Sequence, residues 1–342
     1  MGCSLSLALT VRHLPKLGLS AEQCEDAWAV NNSASRFAVA DGATDSYASG
    51  RLARLMVEGF ADESGPRSAG EFPPWARSRA EAWVKSTPVA GLPWYKQEKA
   101  RLGAHCTFLG IQLESSGPLS DASGIAEPQR ALVASRHVDG ACGGEHSTST
   151  PVAYRAFAVG DVCLFHVRDD RLLCAKPVER PEDFGVQPAL VATSRSYPGP
   201  GIETLVEWTG EIAAGDLLVL ASDAVAHWFL VAAGQGGRPW RCIVEASEDE
   251  FATLVARLRQ ENQMRNDDVT VVAVAAAPEP SAVDSSPTPV PERAPRRGRR
   301  NARRGLVRAA AISLGAGALL VAVALIRSPK TRGPFGVARA GW

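Results

Sequence analysis

Residues 1–276 predict an α+β domain with antiparallel strands. Three observations carry the prediction: apolar runs of strand length recur along the chain, helical repeats fall between them in mixed order, and tight turns join some of the runs. The strand-like runs are Arg36–Ala40, Thr107–Leu113, Ala131–Ser135, Tyr154–Val159, Cys163–Val167, Arg171–Cys174, Leu217–Ala221 and Val269–Val274. The turn Arg168-Asp169-Asp170 separates the fifth from the sixth, so those two pair as a hairpin. Helical spacing marks Ala48–Phe60, with Leu52, Leu55, Met56 and Gly59 on one face, and also Trp75–Lys85, Trp94–Leu102 and Phe251–Asn262. The Gly- and Ser-rich stretches 115–128 and 137–150 read as a long surface excursion around one strand. A hydrophobic share of 45% in 342 residues is enough to bury a sizeable core.

The chain changes character near residue 277. Residues 277–304 carry Pro, Ser and Arg but almost no large apolar side chain, so nothing there repays the entropy of ordering, and the segment reads as a linker. Residues 305–327 read as a transmembrane helix. Its core Ala309–Ile326 is 18 residues without a charge, about 27 Å as a helix against a hydrocarbon layer of about 30 Å. Residues 328–342 form a short tail. Eight Arg precede the span between Arg293 and Arg308 and four bases follow it, which places the N-terminal domain in the cytoplasm of a single-pass membrane protein. No N-terminal signal peptide is expected. Met1-Gly2-Cys3-Ser4-Leu5-Ser6 matches the loose myristoylation pattern, which has meaning only in a eukaryotic cell. The preference for Arg over Lys and the abundance of Ala point instead to a bacterial source.

Formal charge is zero over the whole chain, but the basic residues gather at the end. Twelve bases and three acids from Ala277 onward leave residues 1–276 with 25 bases against 34 acids, a net charge of −9. Such a body is a poor general nucleic-acid binder. Seven cysteines without a Cys-x-x-Cys pair or a Cys/His cluster exclude a structural zinc site of the usual spacing and read as reduced thiols.

The chemistry-bearing residues are carboxylates at the ends of strand-like runs. Phe37-Ala38-Val39-Ala40 leads into Asp41-Gly42, Phe157-Ala158-Val159 into Gly160-Asp161, and Leu218-Val219-Leu220-Ala221-Ser222 into Asp223. Asn266-Asp267-Asp268 opens the run from Val269, and Glu25-Asp26 precedes Ala27-Trp28-Ala29-Val30. Each alone is an ordinary turn residue. Strand ends share the rim of a sheet, however, so these groups can converge. Gathered carboxylates repel one another unless a divalent cation sits among them, and hard oxygen donors select magnesium or manganese.

The ordered set Glu25-Asp26, Val39-Ala40-Asp41-Gly42, Val159-Gly160-Asp161, Ala221-Ser222-Asp223 and Asn266-Asp267-Asp268-Val269-Thr270 resembles the metal-dependent type-2C serine/threonine protein phosphatases, the PPM family, over about residues 10–275. The resemblance implies two packed antiparallel sheets flanked by helices, and two bound Mg2+ or Mn2+ ions with a third held more loosely. Asp41 would bridge two ions and Gly42 would offer its carbonyl. Glu25 would hold the second ion, Asp223 and Asp267 the first, and Asp161 the third, while Asp26 would orient the attacking water. Asp41 and Asp26 are thus the catalytic pair. The substrate implied is a phosphorylated protein, hydrolysed directly at phosphoserine or phosphothreonine.

Three positions depart from that pattern. Ala21 stands where the family usually has a phosphate-gripping Arg, with Lys16 or Arg12 as the cations nearest in sequence. Ala43 replaces a His common in eukaryotic members, and Ala224 a common Gly. These losses motivate a second reading, a catalytically weak phosphatase-like module that recruits a partner to the membrane, and a third, hydrolysis of a small phosphorylated molecule. Other conspicuous residues have plain roles. Trp75, Trp83 and Trp94 are expected to pack, the six His to be structural or exposed, and Ser222 lacks the surroundings of a nucleophile.

Overall fold

The computed structural model describes residues 5–31, 35–62, 64–89, 91–114, 150–185, 187–194 and 197–278. Twelve strands and six α-helices follow one another as β1 (Leu5–Leu14), β2 (Ala27–Asn31), β3 (Arg36–Ala40), α1 (Ser49–Ala61), α2 (Phe72–Ser86), α3 (Trp94–Leu102), β4 (His105–Cys106), β5 (Phe108–Leu113), β6 (Val152–Val159), β7 (Cys163–Arg168), β8 (Arg171–Lys176), β9 (Val191–Ala192), β10 (Val206–Ile212), β11 (Leu217–Ala221), α4 (Asp223–Gly234), α5 (Pro239–Glu245), α6 (Glu248–Gln260) and β12 (Val269–Pro278). One five-stranded sheet runs β1-β12-β11-β7-β8 and a second β10-β6-β5-β3-β2, with β4-β9 as a small third. Every pairing is antiparallel.

The period-2 alternation of the strands assigns the layers. In β11, Leu218 and Leu220, together with their cross-strand neighbours Val274 and Val272 of β12, face the second sheet, where they meet Phe37, Val39, Leu109 and Ile111. Val219 and Ala221 face the other way, onto Phe165, Phe229, Phe251 and Val255 of the layer built with α4 and α6. In β3, Phe37 and Val39 point between the sheets while Ala38 and Ala40 pack under α1 and α2 with Met56, Phe60 and Trp75. Both faces of the central strands are therefore covered, which is why they read as unbroken apolar runs. The result is two stacked antiparallel sheets with helices on both outer faces, as expected.

Most expected elements appear within a few residues of their forecast ends. The hairpin β7–β8 turns on Asp169 and Asp170, both at positive φ (49° and 59°), the mirror-image turn whose twist matches antiparallel strands. β1, β2, β10, α4 and α5 are additions to the forecast. α4 is apolar from Ala224 to Ala233 except at His227, with residues on its less buried face (Val231, Ala232, Ala233) apolar as well, so it shows little helical period. The expected run Thr107–Leu113 starts one residue later, at Phe108, and the amide of Thr107 donates instead to the Asp41 carbonyl (2.8 Å). Trp75 and Trp83 are buried as expected, but Trp94 is 81% exposed at the start of α3, a helix that buries only Ala100. The expected linker starts two residues too early, since Ala277 and Pro278 extend β12 opposite Ser6 and Leu5; the rest of the linker, the membrane span, the expected strand Ala131–Ser135 and the excursion around it lie outside the described residues. Among the described residues no helix is long and apolar enough to cross a membrane.

Candidate metal centre

Strand register brings the acidic motifs to one end of both sheets. Ala27 of β2 stands opposite Ala40 of β3, so Asp26 and Asp41 leave adjacent strands at the same end. In the other sheet Ala221 stands opposite both Cys163 and Val271, which sets Asp223, Asp161 and the Asp267-Asp268 pair around the corresponding end of β11. Leu14, the last residue of β1, pairs with Val269, so the chain leaving β1 delivers Lys16 to the same place. Pairing alone joins residues far apart in sequence.

Electrostatics confirm the gathering. Burial first, then the charges of Asp26, Asp223, Asp267 and Asp161, hold the Asp41 carboxyl well above the usual carboxylate range, although part of its surface stays open. Burial also pushes Asp26 up to about 7, and the charges of Asp268 and Asp223 add to the rise. The hydroxyls of Thr270 and Ser222 temper it without closing a hydrogen bond to it. Asp161 rises to about 7 through burial and the charge of Asp223. Asp223 is raised by burial and Asp267, partly offset by Arg265. Both oxygens of Asp26 and Oδ1 of Asp223 are buried without a hydrogen-bond partner among the described residues.

Glu25 lies at the edge of this group. Ser49 at the start of α1 donates to its Oε1 (2.7 Å), and Lys16 Nζ stands 3.3 Å from its Oε2. α1 enters through Ala48 in the left-handed region (φ 51°), a conformation that a non-glycine residue adopts only under constraint. Gly42 has a steric reason to lack a side chain: a Cβ there would sit 2.8 Å from the Glu25 carbonyl oxygen and from Ser49 C. Asp268 is a clamp rather than a ligand, accepting from the Lys16 amide (2.7 Å) and the Glu25 amide (2.8 Å).

Six carboxylates, Glu25, Asp26, Asp41, Asp161, Asp223 and Asp267, thus meet around one strand-end surface, with the Gly42 backbone packed beside Glu25. They are gathered but not closed. Among the described residues no group of three or more His, Cys, Asp or Glu side chains is arranged to hold an ion as it stands. The donor chemistry nevertheless fits a hard divalent cation, since every donor is oxygen and three buried oxygens of Asp26 and Asp223 have no hydrogen-bond partner among the described residues.

Of the two cations nearest in sequence, Arg12 turns away, donating to the carbonyls of Ile243 (3.1 Å) and Ala246 and stacking over Phe251. Lys16 does reach the centre, with Nζ 3.0 Å from Asp267 Oδ1. Burial disfavours its charge, but its bond to Asp267 and the charges of Asp267, Glu25 and Asp268 outweigh that and raise its pKa. Arg265 stands at the rim, 3.7 Å from Asp223 Oδ2 and 58% exposed. Neither Arg265 nor Ser49 belongs to a motif that sequence reasoning could single out, beyond the nearness of Arg265 to Asp267.

No family model and no curated protein matches this sequence. Solved structures with a similar chain path include phosphatases and phosphatase domains. The photosystem II phosphatase PBCP matches with a TM-score of 0.47 and 14% identity, covering 79% of this chain and 98% of that one. The catalytic domain of the serine/threonine phosphatase PstP, crystallised with two manganese ions, matches at 0.46 and 17% over 80% and 100%. The phosphatase domain of SpoIIE from Bacillus subtilis matches at 0.41 and 14% over 84% and 100%. At TM-scores below 0.5 the chemistry stands on the site's own residues.

Proposed function

We propose that this chain is a magnesium- or manganese-dependent phosphatase that hydrolyses phosphoserine and phosphothreonine in proteins. The observation that carries the reading is the convergence of six carboxylates, three of whose buried oxygens have no hydrogen-bond partner among the described residues. Buried carboxylates left so cost several kcal/mol in total, a cost consistent with a cation that satisfies them during function.

Divalent ions bound here would supply Lewis acidity and lower the pKa of water beside a phosphoryl group. Asp41, which feels the charge of four other carboxylates, would be the central ligand of the bound ions. Asp26, buried beside it, would orient the attacking water. Glu25, Asp223 and Asp267 complete the donors around Asp41, with Asp161 beside Asp223. Arg265 at the rim offers positive charge to an incoming phosphate.

The test is hydrolysis of a phosphothreonine peptide and of a small aryl phosphate by the full chain, with and without manganese. Turnover that needs the metal and disappears in Asp41→Asn and Asp223→Asn supports the reading; full activity in excess chelator contradicts it. Faster turnover of the aryl phosphate with none of the peptide points to a small-molecule substrate instead. The second reading, a phosphatase-like binding module, is favoured by the lysine already seated between Glu25 and Asp267 and by Ala21 and Ala43, and metal-dependent turnover of the peptide excludes it. Anchoring by 305–327, with the domain cytoplasmic, is proposed from the uncharged span and its Arg-rich approach. Its check is recovery of the full chain in the membrane fraction and loss from it after truncation at residue 304.

A further inference from the structure

The ammonium of Lys16 occupies a position that an ion-binding centre would be expected to leave open. Its Nζ lies 3.3 Å from Glu25 Oε2 and 3.0 Å from Asp267 Oδ1, and donates to Thr44 Oγ1 at 2.6 Å. Three oxygens around one cationic nitrogen account for its donor capacity. Lysines on open surfaces hold their charge in water; here the side chain is only 15% exposed.

This placement is built rather than incidental, because the backbone beneath it is pinned from several sides. The Lys16 amide donates to Asp268 Oδ1 (2.7 Å) and the Leu17 amide to Asn266 Oδ1 (2.8 Å). Arg259 donates to the Pro15 carbonyl (3.2 Å), and the Leu19 amide closes a turn onto the Lys16 carbonyl (3.0 Å). The same Asn266-Asp267-Asp268 segment therefore fixes the stem of Lys16 through its first and third residues and receives its charge through the second. Arg265, by contrast, is exposed and stands at the longer distance of 3.7 Å from Asp223, as expected of a mobile rim charge.

We infer that Lys16 is a resident counter-cation of the acidic centre, holding Glu25 and Asp267 in the metal-free protein and competing with divalent ions for them. The inference rests on the reading of the centre as a metal site. It explains why the gathered carboxylates are not closed into a ligand set: two of the six already share an ammonium. An ion that recruits Glu25 or Asp267 must first displace the lysine, so part of its binding free energy is spent on breaking two ion pairs in a half-buried setting. The chain should bind manganese more weakly than its carboxylate count suggests, and the residue that sets this affinity should be the lysine.

The experiment is calorimetric titration of the full chain with manganese chloride, comparing wild type with Lys16→Met, Lys16→Arg and Thr44→Val. Lys16→Met should bind manganese about tenfold more tightly, or take up one further ion, since removing an opposing charge at 4–6 Å commonly shifts an ionic equilibrium by one to three powers of ten. Lys16→Arg, which keeps the charge, should stay near wild type. Thr44→Val removes one acceptor from the ammonium and should tighten binding a few-fold, which keeps the inference testable if Lys16→Met unfolds. Manganese binding in the wild type that is unchanged or weakened in both Lys16→Met and Thr44→Val overturns the resident-cation inference and leaves the metal-site reading intact. Absence of binding in all four proteins overturns both.

Discussion

Strand β11 carries a carboxylate at each end, Asp216 just before Leu217 and Asp223 just after Ser222, and the two have opposite fates. Asp216 is 1% exposed yet fully partnered, receiving hydrogen bonds from Arg168 Nε (2.7 Å) and Nη2 (2.6 Å), from His166 Nε2 (3.0 Å) and from the Ala213 amide (2.8 Å). Burial pushes its pKa up, but those bonds outweigh burial and hold it below the usual value. Asp223, in contrast, keeps an orphaned oxygen among the described residues and is raised. Burial alone therefore does not mark a functional acid. The number of protein partners does: among the described residues one end of β11 is fully partnered, and the other keeps a buried carboxylate oxygen that, on the proposed reading, a cation would satisfy.

The largest expected contrast is in activity. Asp41→Asn should lower metal-dependent hydrolysis by about a thousandfold, the equivalent of the several kcal/mol that ion-mediated charge stabilisation supplies, while leaving the protein folded. Asp216→Ala should keep turnover per folded molecule but cost about 2 kcal/mol in urea unfolding, because it leaves the buried His166 ring and the Ala213 amide without their acceptor, while the more exposed Arg168 can turn to water. A loss of turnover in folded Asp216→Ala would break the comparison. Gly42→Ala should cost about 2 kcal/mol through overpacking against the Glu25 and Ser49 backbone and lower manganese affinity, read by the same unfolding curves and by titration.

The smallest effect is in pH dependence, where the two ends have opposite signs. Asp26 and Asp161 hold protons in the folded state up to about 7, against about 4 when unfolded. Below the unfolded value they cost nothing; as pH rises toward 7 the unfolded state ionises first, so metal-free stability falls across that window. Asp216, with its lowered pKa, contributes stability above the unfolded value and loses it as pH falls through the folded one. Melting of metal-free Asp161→Asn between pH 4 and 8 should therefore be flatter than wild type and gain about 1 kcal/mol near pH 7.5. An unchanged slope would show that Asp161 is not strained by its neighbours.

Much of this was legible in sequence where local chemistry decided it. Asp-Asp in the β7–β8 turn, the apolar runs of β3 and β11 and the period of α1 each carry their own signal. The acidic motifs could be read as strand ends, and register then brought them together. The partner relations could not be read. Asp216 and Asp223 are both acids beside an apolar run, and only the fold shows that Arg168, from the neighbouring hairpin, satisfies one of them. Lys16 and Arg12 lie four residues apart, yet β1 sends Arg12 onto α5 and its following turn and Lys16 into the acidic centre. α4 hides its helical nature because its less buried face is apolar too, with only His227 to mark it.

The central claim, that the Asp223 end of β11 is completed by divalent ions, is most directly tested by manganese-linked stability. Wild type at a hundredfold excess of manganese over its dissociation constant should gain about 2.7 kcal/mol against urea, with the same gain in Asp216→Ala from a lower baseline and none in Asp41→Asn. A wild-type unfolding midpoint that does not move with manganese, or one that moves equally in Asp41→Asn, would contradict the account.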